Sequence, residues 1–322
     1  MQEALDGTVP DRAPLNAFTV DVEDYFHVQA FARTIDRSTW GEYSSRVVEN
    51  TRIVLRLLGR AEVPATFFIL GWVANRYPQL VREIHDAGHE IGCHSYWHRL
   101  IYEMTPEEFR ADLRQATESI ASVTGQPVTA FRAPCFSITR DSLWALDILA
   151  EEGYCYDSSI FPVYHDHYGI PNARRFPHHI DCRAGTLSEF PPTVFRFWKF
   201  NLPVAGGGYF RLYPLSLSLC CLRRINRDHK QPFMFYIHPW ELDPDQPRLA
   251  ASLKSRFRHY QNLRTTAAKL ERLLASFRFG TLTGSLGELS QRTSSANEAG
   301  AQTQPAQAPE TESPTTLFSP VR

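Results

Sequence analysis

The sequence predicts an α/β fold whose parallel strands form either an open sheet or a closed barrel, and we favour the barrel. Short apolar strands alternate with amphipathic helices through the first half of the chain. Acidic, basic and histidine residues follow several of these strands, at the end where α/β folds carry their chemistry. The chain has 322 residues, of which 43% are hydrophobic, enough for a full core in one large domain.

The first elements come in strand–helix order. An apolar strand over 17–24 runs into acids, and apolar residues at helical spacing over 45–58 predict a helix that Gly59 ends. A second strand is predicted over 64–70 and a helix over 73–87. The segment GHEIGCHSYWH at 88–98 then supplies a third strand and its loop.

The same alternation continues. Thr105 to Glu108 forms a capping box with proline at the first helical position, which predicts a helix to about Val123. Three further elements follow, namely a strand over 128–132, a helix over 141–150 and a strand over 154–157.

In the second half of the chain, the regular alternation of predicted strands and helices stops. Residues 160–211 are rich in His, Pro, Gly and aromatic residues, which predicts long loops over a binding face. The remaining elements are a helix over 213–226, a strand over 233–238 and a long basic helix over 248–276. We expect residues 1–15 to be flexible, residues 16–289 to form the domain, and residues 290–322, poor in large apolar side chains, to be disordered.

Charge and cysteine content limit the function classes. The formal net charge is −1, so the chain as a whole lacks the excess of positive charge that is typical of nucleic-acid-binding proteins. The six cysteines lack a C-x-x-C spacing and are predicted to be reduced thiols. No secretory signal or transmembrane stretch is recognisable, so we expect a cytoplasmic location.

His94 and His98 suggest a metal site. Zinc and similar ions bind converging neutral imidazoles, and a four-residue spacing can place two rings on one face of a helical turn. Such a pair also occurs by chance on solvated loops. The strand ends that carry acids, an arginine and another histidine favour the metal interpretation.

Three acids follow the first strand and are candidates for the same site. Strand alternation points Asp21 and Glu23 to one side, whereas Asp24 shares that side only if the strand has already ended. All three acids are therefore candidates.

Four motifs together resemble a known family. DVED at 21–24, HSYWH at 94–98, RAPCF at 132–136 and YIHP at 236–239 resemble, in order, the motifs of the polysaccharide deacetylases, which are metal-dependent carbohydrate esterases related to chitooligosaccharide deacetylases. The resemblance covers about residues 16–285. YDSSIFP, GGGYFR and FYIHPWELDP look most like the subgroup found beside exosortase-linked exopolysaccharide genes.

The resemblance implies a distorted (β/α) barrel and a role for each motif. His94, His98 and one carboxylate would hold one divalent ion, for which we expect zinc. We favour Glu23 as that carboxylate, because it shares the strand face of Asp21, and retain Asp24 as the alternative. Asp21 would be the general base, oriented by Arg132, and His238 the general acid. The backbone N–H of Cys135 would stabilise the oxyanion. Residues expected to support the site or contact substrate are Pro134, Asp157, Tyr209, Phe210 and Tyr236.

The implied function is a hydrolase that removes N-acetyl groups from amino sugars of a polysaccharide or lipid-linked oligosaccharide. An N-acetylated glycan would then be the partner, and the sequence leaves the oligomeric state unknown. One alternative is an allantoinase-like amidase that acts on a small amide, because that class shares the architecture. The other is a glycan-binding barrel without catalysis, against which the presence of both Asp21 and His238 argues.

Overall fold

The computed structural model describes residues 13–165 and 168–302, and its centre is a nine-stranded sheet. The strands follow the order β10-β1-β2-β3-β4-β5-β7-β6, with β11 also paired to β1. Every pairing is parallel except that of β6 with β7. The strands are β1 (Asn16–Val22), β2 (Thr66–Ile69), β3 (Glu90–Cys93), β4 (Ala130–Phe131), β5 (Tyr156–Asp157), β6 (His178–Cys182), β7 (Gly185–Glu189), β10 (Met234–Ile237) and β11 (Phe279–Gly280).

A two-stranded hairpin stands apart from this sheet. It consists of β8 (Val194–Phe197) and β9 (Phe200–Pro203), which pair antiparallel with each other. Its outer end is Trp198-Lys199, the connection between the two strands. We call this element the β8–β9 hairpin.

The sheet curls into a distorted (β/α) barrel, as predicted. An extended segment over 204–206 lies between β10 and the residues after β7. Tyr236 N donates to Ala205 O at 3.1 Å, and Val204 N donates to Thr193 O at 3.4 Å. Thr193 Oγ1 also accepts from Met234 N at 2.7 Å. These bonds join the two sides of the curved sheet without a regular strand.

Helices surround the barrel and largely follow the predicted pattern. The capping box at Thr105 and Glu108 is present, and Gly125 ends that helix in the left-handed conformation. The helices are α1 (Val47–Arg60), α2 (Gly71–Arg76), α3 (Pro78–Asp86), α4 (Pro106–Thr124), α5 (Trp144–Glu151), α6 (Gly207–Leu212), α7 (Leu215–Asp228), α8 (Leu253–Tyr260), α9 (Leu263–Leu274) and α10 (Leu282–Gln302).

Three predicted elements differ from the structure. The helix over 73–87 is two helices, because Pro78 starts α3 afresh. The long helix over 248–276 is also two, since Asn262 adopts a left-handed φ of 55° between α8 and α9. The segment 160–211 contains four strands and α6 in addition to loops, because its Phe, Val and Leu residues find strand partners that a local pattern does not reveal.

The structure describes part of each end that the sequence analysis expected to be flexible or disordered. Residues 13–15 are fixed: Arg278 Nη1 donates to Ala13 O at 2.6 Å, and Leu15 N donates to Glu288 Oε1 at 3.0 Å. Residues 290–302 are helical, because α10 continues through them and no proline interrupts it before residue 305. Residues 1–12 and 303–322 lie outside the described residues, so the remainder of both predictions is not addressed.

The structure also addresses the state of the cysteines and the presence of membrane-spanning helices. All six cysteines are free thiols, as predicted. Among the described helices, none has both the length and the apolar character of a bilayer-spanning segment.

The closure of the barrel leaves no room for a side chain at Gly206, so a substitution there should destabilise the fold. Its φ is +146°, and a Cβ there would lie 2.4 Å from the backbone oxygen of Tyr236. We expect Gly206→Ala to lower the free energy of unfolding by roughly 2–4 kcal/mol through strain and overpacking. Gly59→Ala is the control, since a Cβ in that part of α1 meets nothing within 4 Å. Equal urea midpoints for the two variants would contradict this account of the closure.

Candidate metal and catalytic site

The predicted site residues meet at the carboxyl ends of the central strands. A cavity of about 160 Å³ opens there. Its lining combines acids, histidine and aromatic rings from the ends of β1, β4 and β10 with residues from three loops. These residues are Asp21, Glu23, Val28, Gln29, His98, Ala133, Cys135, Phe136, Tyr168, Tyr236, His238 and Trp240.

Glu23, His94 and His98 form a compact buried cluster. Glu23 Oε1 lies 3.0 Å from the Nε2 atoms of both His94 and His98. Burial raises the pKa of Glu23, but the histidines His98, His238 and His94 outweigh it and hold the pKa well below its usual range. The two rings do not share a helical turn as the spacing suggested, because β3 ends at Cys93 and residues 94–98 form a loop in which Ser95 and His98 have positive φ.

The chemistry of this cluster fits a divalent cation. The Nδ1 of His94 lies 2.7 Å from the carbonyl oxygen of Arg132 and donates to it when Nδ1 carries the proton. The lone pair of Nε2 then faces the Glu23 carboxylate, so two acceptors oppose each other across 3.0 Å. A cation or a proton must lie between such atoms, and one carboxylate with two imidazoles is a common donor set for first-row metals. The donor atoms of the three residues all lie within 4.8 Å of one another.

Asp24, the alternative ligand, has a structural role instead. Its Oδ2 accepts hydrogen bonds from Ser45 Oγ at 2.6 Å, Arg46 N at 2.8 Å and Val47 N at 3.1 Å. Its Oδ1 accepts from Tyr25 N at 2.9 Å. β1 does end before Asp24, at Val22. The assignment of Asp24 as a ligand is nevertheless wrong, because hydrogen bonds from Tyr25 and from residues 45–47 occupy both carboxylate oxygens and make Asp24 a cap for the start of α1.

Arg132 lies beside Asp21, as predicted. Arg132 Nη1 is 2.6 Å from Asp21 Oδ1, and both side chains are buried. The same nitrogen donates to Thr19 Oγ1 at 2.8 Å, while Nη2 donates to Ser158 Oγ at 3.0 Å. The guanidinium also stacks on the ring of Phe68. These contacts fix the orientation of the Asp21 carboxylate in the cavity wall.

His238 completes the polar side of the cavity. Its Nε2 lies 3.8 Å from both Asp21 Oδ2 and Glu23 Oε1, and its Nδ1 lies 2.8 Å from Glu241 Oε1. Burial lowers the pKa of the imidazole, but the carboxylates of Glu23, Glu241 and Asp21 outweigh this and raise it to about 9. Arg211 Nε in turn bonds Glu241 Oε2 at 2.6 Å. His238 is therefore protonated at neutral pH.

Glu241 and Arg211 were missed in the sequence. Asp157, which was expected to support the site or contact substrate, does not line the cavity. Asp157 Oδ1 instead accepts from Ser159 Oγ at 2.5 Å. Its neighbour is Glu189. Burial and the charge of Asp157 raise the pKa of Glu189 well above its usual range. The signal for Glu241 was present, because an acid three residues after His238 matches a capping pattern.

Cys135 lies on the cavity wall in the short turn after β4. Its φ is 52°, and Phe136 follows with a φ of 53°. Burial raises the pKa of the Cys135 thiol far above its ordinary value, so the thiol is neutral. Pro134 starts this turn and is buried.

Three aromatic residues were predicted to contact substrate, and the structure places each of them differently. Tyr236 lines the cavity. Phe210 does not, because it is buried in the core against Phe235, with ring centroids 4.8 Å apart, so its prediction is wrong. Tyr209 is half-buried on α6 and bonds the side chain of Tyr168, which lines the cavity. Tyr168, Gln29 and Trp240 were not predicted. Tyr168 and Gln29 come from segments with no distinctive motif, whereas Trp240 lies in FYIHPWELDP.

Two family models match the chain, one in its first half and one in its second half. The family model Polysaccharide deacetylase matches residues 29–154, and the model Domain of unknown function (DUF3473) matches residues 158–286. A peptidoglycan-N-acetylglucosamine deacetylase of Bacillus cereus is 32% identical over 101 residues, or 31% of this chain and 37% of that protein. A chitooligosaccharide deacetylase of a Bradyrhizobium species is 32% identical over 98 residues, or 30% and 42%. The chain thus covers well under half the length of these relatives.

Two solved structures share the fold over most of both chains. A protein of Mycobacterium smegmatis described as a candidate polysaccharide deacetylase superposes with a TM-score of 0.57 at 20% identity, covering 96% of this chain and 97% of that one. The allantoinase Puue superposes with a TM-score of 0.53 at 15% identity, covering 84% and 88%. At these identities the similarity concerns the barrel alone.

The contacts of Asp24 predict a loss of stability on its removal. Asp24→Ala leaves the backbone N–H groups of Tyr25, Arg46 and Val47 without their acceptor. We expect the free energy of unfolding to fall by roughly 2–4 kcal/mol, since these donors are in or near the core. Asp36→Ala removes an exposed cap and is the control. Urea denaturation measures both, and a smaller loss for Asp24→Ala than for Asp36→Ala would contradict the structural role.

Proposed function

Because residues 29–154 belong to the polysaccharide deacetylase family, we propose that this chain is a metal-dependent hydrolase that removes N-acetyl groups from amino sugars of a glycan and releases acetate. The observation that carries the proposal is the convergence of three ligand-type side chains with Asp21 and His238 around one cavity. A site for glycan binding alone needs neither a base nor a protonated imidazole at this position.

Glu23, His94 and His98 would hold the ion, which we propose to be zinc. When bound, such an ion lowers the pKa of a water ligand and polarises the acyl oxygen. Asp21 would accept the proton of the attacking water, and its bond to Arg132 holds one carboxylate oxygen so that the other faces the cavity. The end of β1 and the residue after β4 thereby fix the orientation of the Asp21 carboxylate.

His238 would supply the proton that the departing amine needs. Its Nε2 faces Asp21 and Glu23, while Glu241 holds its Nδ1. A pKa of about 9 keeps the ring protonated at neutral pH, which suits a general acid. The backbone N–H of Cys135, on the opposite part of the cavity wall, is the proposed donor to the tetrahedral oxyanion.

The glycan and the compartment are further parts of the proposal. The resemblance of YDSSIFP and FYIHPWELDP to exopolysaccharide-linked proteins supports an exopolysaccharide or its lipid-linked precursor as substrate. Six free thiols, two of them exposed, suit the reducing cytoplasm.

Metal analysis followed by acetate-release assays on acetylated amino-sugar oligomers tests the function. We expect Asp21→Asn to retain the metal while turnover falls roughly 10²–10⁴-fold, the range for loss of a general base. Glu23→Gln should instead lose the metal under mild chelation, because an amide brings no charge to the cation. Turnover of allantoin without acetate release would replace this proposal by the small-amide hydrolase, and full activity of Asp21→Asn would refute the mechanism.

Glu241 gives a pH-dependent prediction. Its carboxylate is one of the groups that raise the pKa of His238. A general acid works while protonated, so activity falls as the pH rises through that pKa. We expect Glu241→Gln to move the alkaline limb of the kcat/KM profile toward lower pH by roughly 1–2 units.

The control for this experiment is Glu83→Gln, which removes an exposed carboxylate paired with Arg52. Its profile should match that of the unmodified chain. An alkaline limb that stays in place in Glu241→Gln would show that His238 is not the group titrating there.

A further inference from the structure

The β8–β9 hairpin exposes large aromatic side chains that the proposed active site does not use. Phe197, Trp198 and Phe200 are 63%, 89% and 69% exposed. Phe197 and Phe200 are paired across the two strands, and Trp198 occupies the turn between them. Scattered apolar residues are normal on a surface, but three adjacent aromatic rings at one projecting tip form a contiguous patch.

The turn carries backbone strain that folding does not require. Trp198 adopts a φ of +56°. This left-handed conformation is ordinary for Gly or Asn but costs a bulky residue on the order of 1 kcal/mol or more. A small residue would make the same turn at lower cost. The indole is therefore retained at the tip for a contact outside the chain.

The charge around these rings is positive. Arg196 and Lys199 flank Trp198, and residues 190–227 contain no Asp or Glu. Burial and the neighbouring charge of Arg196 lower the pKa of Arg175, so a third cation lies near the other two. Its Nη1 is buried, with no hydrogen-bond partner among the described residues. Arg196 bonds neutral oxygens, those of Trp198 and Asn201, so among the described residues no carboxylate of the hairpin balances its charge.

The hairpin is fixed to the loop that borders the cavity through Asn201, whose pair with Arg196 lies next to the tip. Asn201 Nδ2 donates to Pro162 O at 2.7 Å and to Pro171 O at 3.3 Å. Tyr168, which lines the cavity, lies between these two prolines in the chain. The exposed tip therefore has a defined position relative to the mouth of the site.

We propose that the β8–β9 hairpin docks the protein on an anionic lipid surface, inserting Phe197, Trp198 and Phe200 among the headgroups. Aromatic rings with flanking Lys and Arg are the composition of interfacial membrane anchors. A sugar chain would need acceptors for its hydroxyl groups. The one amide of the hairpin, Asn201, is already bonded to the prolines and to Arg196. Docking does not depend on the hydrolytic function.

Vesicle co-sedimentation of the full chain tests the proposal. Vesicles of phosphatidylcholine alone are compared with vesicles that contain equal parts of phosphatidylglycerol. We expect binding to the anionic vesicles that salt weakens, and a fall of at least roughly tenfold in Trp198→Ala through lost apolar burial. The double variant Arg196→Gln/Lys199→Gln should lose roughly 30-fold, from about 1 kcal/mol per cation.

Phe197→Ala and Phe257→Ala form a matched pair. Both rings are 63% exposed, but Phe257 lies on α8. Only the hairpin variant should weaken binding, and thermal unfolding should be unchanged in both. No binding of the unmodified chain to anionic vesicles, or an equal effect of the two variants, overturns the proposal.

Two other results would assign the hairpin to a different partner and also overturn it. One is a dimer in solution that Trp198→Ala converts to a monomer. The other is vesicle binding unaffected by Trp198→Ala while the same variant loses affinity for acetylated amino-sugar oligomers.

Discussion

The geometry of the site depends on one buried cation. Arg132 has no exposed surface, and a guanidinium in such a place is tolerated only when its charge is balanced and its donors are satisfied. Asp21 supplies the charge, while Thr19 and Ser158 supply acceptors from β1 and from the chain after β5. The backbone oxygen of Arg132 also holds the ring of His94. One residue therefore fixes both the base and a ligand, which makes their separation a property of the barrel rather than of a loop.

A second buried cation organises the opposite side of the cavity. Arg211 on α6 binds Glu241, and Glu241 binds His238. Arg211 Nη1 is in addition fixed by the carbonyl oxygens of His259 and Gln261, at 2.6 and 3.0 Å. Charges thus alternate in sign from α6 to Glu23, so each buried group has an opposite charge beside it. This arrangement explains why the pKa values of Glu23 and Glu241 lie below their usual range, although burial alone would raise both.

The sequence predicted the parts of the site that local chemistry specifies. Strand alternation placed Asp21 and Glu23 on one side, and the motifs located His94, His98 and His238. It could not exclude Asp24, because that requires knowing that α1 begins beside it. GGGYFR was interpreted as a loop because glycines usually indicate one, whereas here Gly206 and Gly207 allow close contact with Tyr236 and Phe210 enters the core. Cavity-wall residues such as Tyr168 come from distant segments and leave no periodic signal.

The closure of the barrel through the 204–206 segment has a consequence for how the protein acquires activity. Thr19 on β1 donates to Phe235 O on β10, a contact between residues 216 positions apart. Contacts of such long sequence separation form late, because a large loop must first be closed. His238 follows β10 directly, so during synthesis the ribosome must release nearly the whole domain before the acid can meet the base. If the chain is the proposed hydrolase, a nascent chain therefore has no activity until β10 has paired with β1.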